Sequence, residues 1–151
     1  MVKNIELGAR CTRTLAIDRA RTIDFLGDDL RIYATPELVR DIEQTCLDFL
    51  QGHVAPGQSS VGTEVSVEHA GATPLGGELR IEVEVIAVEG RSVTFRVAAH
   101  DDVETVCTGT HRRFVVDIER LKSRVRKKAD AGATASVATA TSVATTAPAL
   151  R

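Results

Sequence analysis

Apolar and polar positions along the chain fall into two periods. From residue 78 to 89 they alternate: Leu79, Ile81, Val83, Val85 and Ala87 share one face, with Arg80, Glu82 and Glu84 opposite. Residues 91–99 repeat the pattern with Val93, Phe95, Val97 and Ala99. Alternation at period two predicts half-buried strands, and the short link Glu89-Gly90-Arg91 predicts a hairpin between them. His100-Asp101-Asp102 turns the chain into a further strand over 103–117. Residues 59–68 alternate more loosely, and residues 11–17 form a first strand. Between these lies one helical stretch. Val39, Ile42, Cys46, Phe49 and Leu50 recur at helical spacing, and Pro36 suits the first turn with Thr35 as its N-cap. Gly52 and Pro56-Gly57 end that helix near residue 53. Residues 18–34 read as a short helical turn and a loop around Gly27.

The order is therefore a strand, one central helix, then four antiparallel strands. One helix against one sheet encloses little volume. A curved sheet wrapped around the helix, with its edges paired in a dimer, is the economical α+β solution. Residues 119–128 carry six basic residues and read as a helix, either a solvated terminal helix or a basic surface near the phosphates of an anionic ligand. From Ala131 to Leu150 the chain is Ala, Thr, Ser and Val with little else, so a low-complexity, disordered tail is expected. The expected division is a domain over 1–128 and a tail over 129–151.

Composition narrows the function classes. A net charge of −2 argues against nucleic-acid binding, and no stretch is long and apolar enough to suggest a membrane partner. Aromatic residues are 3% of the chain and Trp is absent, so the core must be aliphatic. Cys11, Cys46 and Cys107 are odd in number and far apart, which suggests reduced thiols in a cytoplasmic protein rather than disulfides or a thiolate metal site.

The chemistry-bearing residues cluster. Thr35, Glu43, Gly62 and His69 fall within 35 positions, each beside a structural boundary. A hydroxyl, a carboxylate, an imidazole and a strand glycine are what acyl transfer or hydrolysis needs. Each also has a plain reading: a helix cap for Thr35, a solvated Glu43, a structural His69, a bulge at Gly62 and a salt-bridged strand Arg113. Thr35 and Glu43 lie roughly 12 Å apart along a helix axis, so they cannot touch directly. An imidazole could bridge them, or Glu43 could serve Thr35 and His69 of a partner subunit; both readings stay open. A carboxylate partner would raise the His69 pKa. Two weaker ideas are a buried or nucleophilic Cys46 and a metal site at His100, Asp101, Asp102 and His111, whose spacing matches no known ligand set.

Several segments, taken in order, carry a resemblance. They are Ala34-Thr35-Pro36 with Glu43, Ser60-Val61-Gly62-Thr63, Val67-Glu68-His69-Ala70-Gly71-Ala72-Thr73-Pro74, Val88-Glu89-Gly90-Arg91, and Gly109-Thr110-His111-Arg112-Arg113. Over residues 8–128 the chain resembles the hot-dog-fold thioesterases, and within them the fluoroacetyl-CoA thioesterase-like group. The resemblance implies a long central helix wrapped by a curved antiparallel sheet, and a homodimer or higher oligomer. It implies hydrolysis of an acyl-CoA thioester with no cofactor and no metal. Thr35, Glu43 and His69 then match the catalytic positions, Gly62 supplies a backbone N–H to the thioester carbonyl, and Arg113 lines the substrate site. The segment before Thr35 is shorter than in that group and holds only Phe25 and Tyr33 as aromatics, so the reaction is carried over and the acyl group is not. A hydratase is disfavoured, because the Gly-Asp-x-Asn-Pro-x-His pattern of that branch is missing. A non-catalytic acyl-CoA or small-molecule binding module of the same fold is the alternative; it would have no need of the Thr35/Glu43/His69 set.

Overall fold

A computed structural model describes residues 2 and 4–138 of the chain. Strand β1 spans Arg10–Ala16, and two single turns of 3₁₀ helix follow at Arg19–Arg21 and Asp28–Leu30. Then come helix α1 (Thr35–Gln51) and strands β2 (Gln58–His69), β3 (Glu78–Glu89), β4 (Ser92–His100) and β5 (Thr105–Asp117). Helix α2 spans Ile118–Ala138. The chain divides into two compact units between Asp117 and Ile118.

In the first unit the five strands form one sheet in the order β1-β3-β4-β5-β2, with every pair antiparallel. The alternation in β3 and β4 sets its inner face: Leu79, Ile81, Val83 and Val85 are buried beside Val93, Phe95, Val97 and Ala99. Helix α1 covers this face with Leu38, Ile42, Cys46 and Leu50, all fully buried. Val39 and Phe49, expected on the buried stripe, sit at its flank. Asp41 and Thr45 are buried in their place, because the segment before α1 also packs on the helix. Ala87 is only half buried, since a register shift between Val85 and Ala87 interrupts the β3–β4 ladder.

Gly109 shows why small residues stand where β5 meets β2. A Cβ there would run into the Ser66 carbonyl and the Val67 backbone. Strand β2 forms one edge of the sheet, twelve residues long, with Val61 and Val65 exposed. Its register slips between Gly62 and Glu64. A bulge of this kind inserts one unpaired residue and bends the strand.

Helix α2 extends the basic 119–128 segment through Ala138, eight residues into the Ala/Thr/Ser/Val stretch expected to be unstructured. Alanine has the highest helix propensity of any residue, so a helix can propagate there without a patterned face. The remainder of that expected tail, 139–151, lies outside the described residues. No helix among the described residues is long and apolar enough to cross a membrane.

Candidate active site

Helix α1 begins at Thr35, one residue earlier than the sequence suggests. Its N-cap is Ala34, and Leu38 N–H donates to the Ala34 carbonyl (3.0 Å). The Thr35 side chain is therefore released from capping. Its Oγ1 lies 2.8 Å from Nδ1 of His69, the last residue of β2. The hydroxyl stands at the positive end of the helix dipole, where developing negative charge costs less.

Burial, partly offset by the Gly71 backbone, pulls the His69 pKa below the usual histidine value. The expected rise from a carboxylate is not seen within this chain, because Glu43 makes no hydrogen bond to His69. The other ring nitrogen, Nε2, is buried and has no partner. Intramolecular bridging of Thr35 to Glu43 through His69 is thus not the arrangement. The Thr35–His69 pair opens on a cleft of about 330 Å³. Ile23, Phe25, Leu26 and Ile32 form its apolar wall, and Ala70, Gly71 and Ala72 the side opposite. Phe25 is 76% exposed at this wall.

Glu43 belongs to a second cluster, on the inner side of β2 and β5. A Cβ on Gly62 would lie 2.6 Å from Glu43 Oε1 and 3.2 Å from His111 Cε1, so the end of the Glu43 side chain rests in the space a larger residue would take. Arg113, opposite Gly62 in the ladder, is 5% exposed. It is not solvent-facing: Nε donates to Ser60 Oγ and Nη2 to the Ser60 carbonyl, both at 2.8 Å. Its Nη1 donates to His111 Nε2 (3.2 Å), while His111 Nδ1–H donates to the Glu64 carbonyl (2.9 Å). This network assigns His111 as a neutral ring protonated at Nδ1. Burial lowers the pKa of both His111 and Arg113, and the Glu43 charge acts in the opposite sense on each.

The bulge in β2 relates the two clusters. His69 lies seven positions after Gly62, an odd offset that would put the two on opposite faces of a regular strand. With the bulge, both pair with inward-facing positions of β5: Gly62 with Arg113, His69 with Cys107.

The structure adds Ser60 as a partner of Arg113 and brings Tyr33 and Asp41 together beside His69, and it ties His111 to Arg113 rather than to a metal set. The period-two match of His111 with Arg113 was the available signal for that tie. The suggested metal set does not assemble. His100 ends β4 and bonds Thr105 Oγ1 (2.9 Å), whereas His111 pairs with Phe95 and is tied to Arg113. Among the described residues, no group of three or more metal-ligating side chains is placed to hold an ion. Cys46 is fully buried, and desolvation pushes its thiol up to about 12, so it is no nucleophile.

A family model described as fluoroacetyl-CoA-specific thioesterase (FlK) matches residues 17–119. The fluoroacetyl-CoA thioesterase of Streptantibioticus cattleyicolor is 32% identical over 139 residues, covering 87% of this chain and all of that protein. A solved structure of the fluoroacetyl-CoA thioesterase FlK superposes with a TM-score of 0.77 at 31% identity, over 83% of this chain and 98% of the other. A hot-dog-like protein from Thermanaerovibrio acidaminovorans shares the fold, with a TM-score of 0.75 at 24% identity over 81% of this chain and 91% of that one.

Proposed function

The chain belongs to the fluoroacetyl-CoA-specific thioesterase family and is a thioester hydrolase of the hot-dog fold, and from that premise we propose that it cleaves an acyl-CoA thioester to free acid and CoA through Thr35, His69 and Glu43. The observation that carries this reading is the 2.8 Å contact of Thr35 Oγ1 with His69 Nδ1 beside an apolar cleft.

His69 Nδ1 takes the proton of the Thr35 hydroxyl, or of a water held by it, and the oxygen attacks the thioester carbonyl carbon. The carbonyl oxygen gains negative charge, which the Gly62 N–H and the N-terminus of α1 stabilise. The C–S bond breaks, and His69 returns the proton to the departing CoA thiolate. If the acyl group has passed to Thr35, a water activated by the same imidazole releases the acid.

To act as base, His69 must leave Nδ1 unprotonated, so its proton sits on Nε2. That N–H is buried without an acceptor in one subunit. A buried unpaired donor is costly, and the acceptor we assign to it is the Glu43 carboxylate of a second copy. Each of two equivalent sites in a homodimer then combines Thr35 and His69 from one subunit with Glu43, Gly62 and Arg113 from the other. The long edge strand β2, with Val61 and Val65 exposed, supports pairing of two copies, since an uncovered apolar edge is a template for association. The guanidinium of Arg113 suits the acyl carbonyl or the acid product.

The testing experiment is release of CoA thiol, read with a colorimetric thiol reagent, over acetyl, fluoroacetyl, short-chain, long-chain and aryl CoA esters. His69→Ala is run beside the wild type. Turnover that depends on His69 supports the reading, and turnover unchanged in His69→Ala removes it.

A further inference from the structure

One tripeptide grips the His69 ring on two sides. Thr35 meets it at Nδ1, and Tyr33, two residues earlier, packs against it edge to face, with ring centroids 6.1 Å apart and planes at 72°. Such a geometry is attractive between aromatic rings. Tyr33 is itself immobilised. It is 1% exposed, its N–H donates to the Thr73 carbonyl (2.8 Å), and its phenol donates to Asp41 Oδ2 (2.5 Å). Burial and the neighbouring Asp41 raise the phenol's pKa, so it remains a donor.

Asp41 is buried on α1, between the turns that carry Thr35 and Glu43. Arg21 closes the clamp, with Nε on Asp41 Oδ2 (3.0 Å) and Nη2 on Oδ1 (3.2 Å), and a further contact to Asp18 (2.9 Å). All of Asp41's carboxylate partners thus come from the segment before α1. A partly buried ion pair is weak evidence of stability alone, but this one ties the segment before α1 to the helix.

The geometry points to Tyr33, clamped by Asp41 and Arg21, as a positioning residue that sets the plane of the His69 ring for proton transfer. This rests on His69 being the base proposed above. Hydrogen bonds at Nδ1, and at Nε2 once a second copy's Glu43 is in place, leave the ring free to tilt about the line joining them, and the Tyr33 edge is the contact that opposes that tilt.

The test compares Tyr33→Leu, Tyr33→Phe, Asp41→Asn and His69→Ala with the wild type. Two readouts are used: acetyl-CoA and fluoroacetyl-CoA hydrolysis against pH, and NMR titration of the labelled imidazoles, with the His69 signal identified by its loss in His69→Ala. Tyr33→Leu is expected to lower kcat roughly tenfold, as a small misplacement of a catalytic group does. It should also move the acid limb of kcat/KM, and the His69 titration, to higher pH as water reaches the ring. Tyr33→Phe keeps the ring but loses its bond to Asp41, so it should shift both readouts in the same direction as Tyr33→Leu but less, and keep most of kcat. Asp41→Asn should shift both readouts in the same direction as Tyr33→Leu but less, and serves if the leucine variant fails to fold.

An unmoved His69 titration in both Tyr33→Leu and Asp41→Asn overturns the proposal. Equal losses in Tyr33→Leu and Tyr33→Phe with an unshifted limb also overturn it, since they mark a structural role. If His69→Ala retains turnover, the base assignment fails instead, and the NMR titration still decides whether Tyr33 holds the ring.

Discussion

Thr35 and His69 stand 34 positions apart, one opening a helix and the other closing a strand, yet their side chains meet at 2.8 Å. The contact exists because Ala34 takes the capping position and leaves the threonine hydroxyl uncommitted. Thr35→Ala should therefore lower kcat by about 10²–10⁴ while the melting temperature barely moves. Thr35→Ser should keep most of the activity. Thiol release and a thermal melt measure both, and an active alanine variant would exclude the hydroxyl from the reaction.

The pH dependence follows from burial. His69 works as a base only when neutral, and its pKa lies below the usual histidine value. In the dimer proposed above the Glu43 carboxylate of the second copy acts in the opposite sense to burial, so Glu43→Gln should move the His69 titration, read by NMR of the labelled imidazole, to lower pH than in the wild type. Stability follows the sign that burial sets. His111 has a depressed folded-state pKa, so the unfolded chain binds a proton there first as pH falls. Its contribution is complete above about pH 6.5 and is lost as pH drops toward the folded value. A melt series from pH 8 to pH 5 reads this directly, and His111→Asn should flatten part of the slope.

Gly62→Ala should impair activity more than fold. The new Cβ lies 2.6 Å from Glu43 Oε1 and 3.2 Å from His111, so the carboxylate must move. The displaced atom ends a flexible side chain, so the stability change in chemical denaturation should be small while kcat drops. A variant of wild-type stability and turnover would place Glu43 elsewhere.

Arg113→Met should cost about 3 kcal/mol, because it strips donors from the Ser60 carbonyl, Ser60 Oγ and His111 Nε2 at once. Arg113→Lys keeps a charge but cannot reproduce that fork, and should recover only part of the loss.

Mixing two inactive variants tests the division of the site between subunits. If His69 and Glu43 come from different chains, subunit exchange between His69→Ala and Glu43→Gln dimers gives hybrids with one intact site. Activity should rise to about a quarter of wild type. No recovery, with hybrid formation shown by tagged pull-down, would return the whole site to one chain.

The sequence made β3 and β4 legible down to which residues face inward, because their alternation is strict and their partners are apolar. It was less informative where tertiary packing decides. The buried stripe of α1 includes Asp41 because Arg21 and Tyr33 reach it from the preceding segment, a contact no helical wheel contains. The Thr35 cap was misplaced by one residue, within the usual uncertainty of helix ends. His69 and Gly62 were visible as candidates, but their relative orientation was not, since a bulge leaves no mark in a loosely alternating strand. Glu43 is a candidate only through the resemblance, and its carboxylate lies against Gly62, a contact that no spacing in the sequence reveals.

The slip in β2 between Gly62 and Glu64 has a consequence of parity. In a regular strand, adding or removing one residue between two positions sends one of them to the other side of the sheet. Here one residue is already absorbed, so an odd count acts as an even one. A chain with one residue fewer between Gly62 and His69 could keep both on the inner side only by surrendering the bulge. Residue number and strand irregularity are therefore coupled at this edge: neither can change alone without turning half of the site outward.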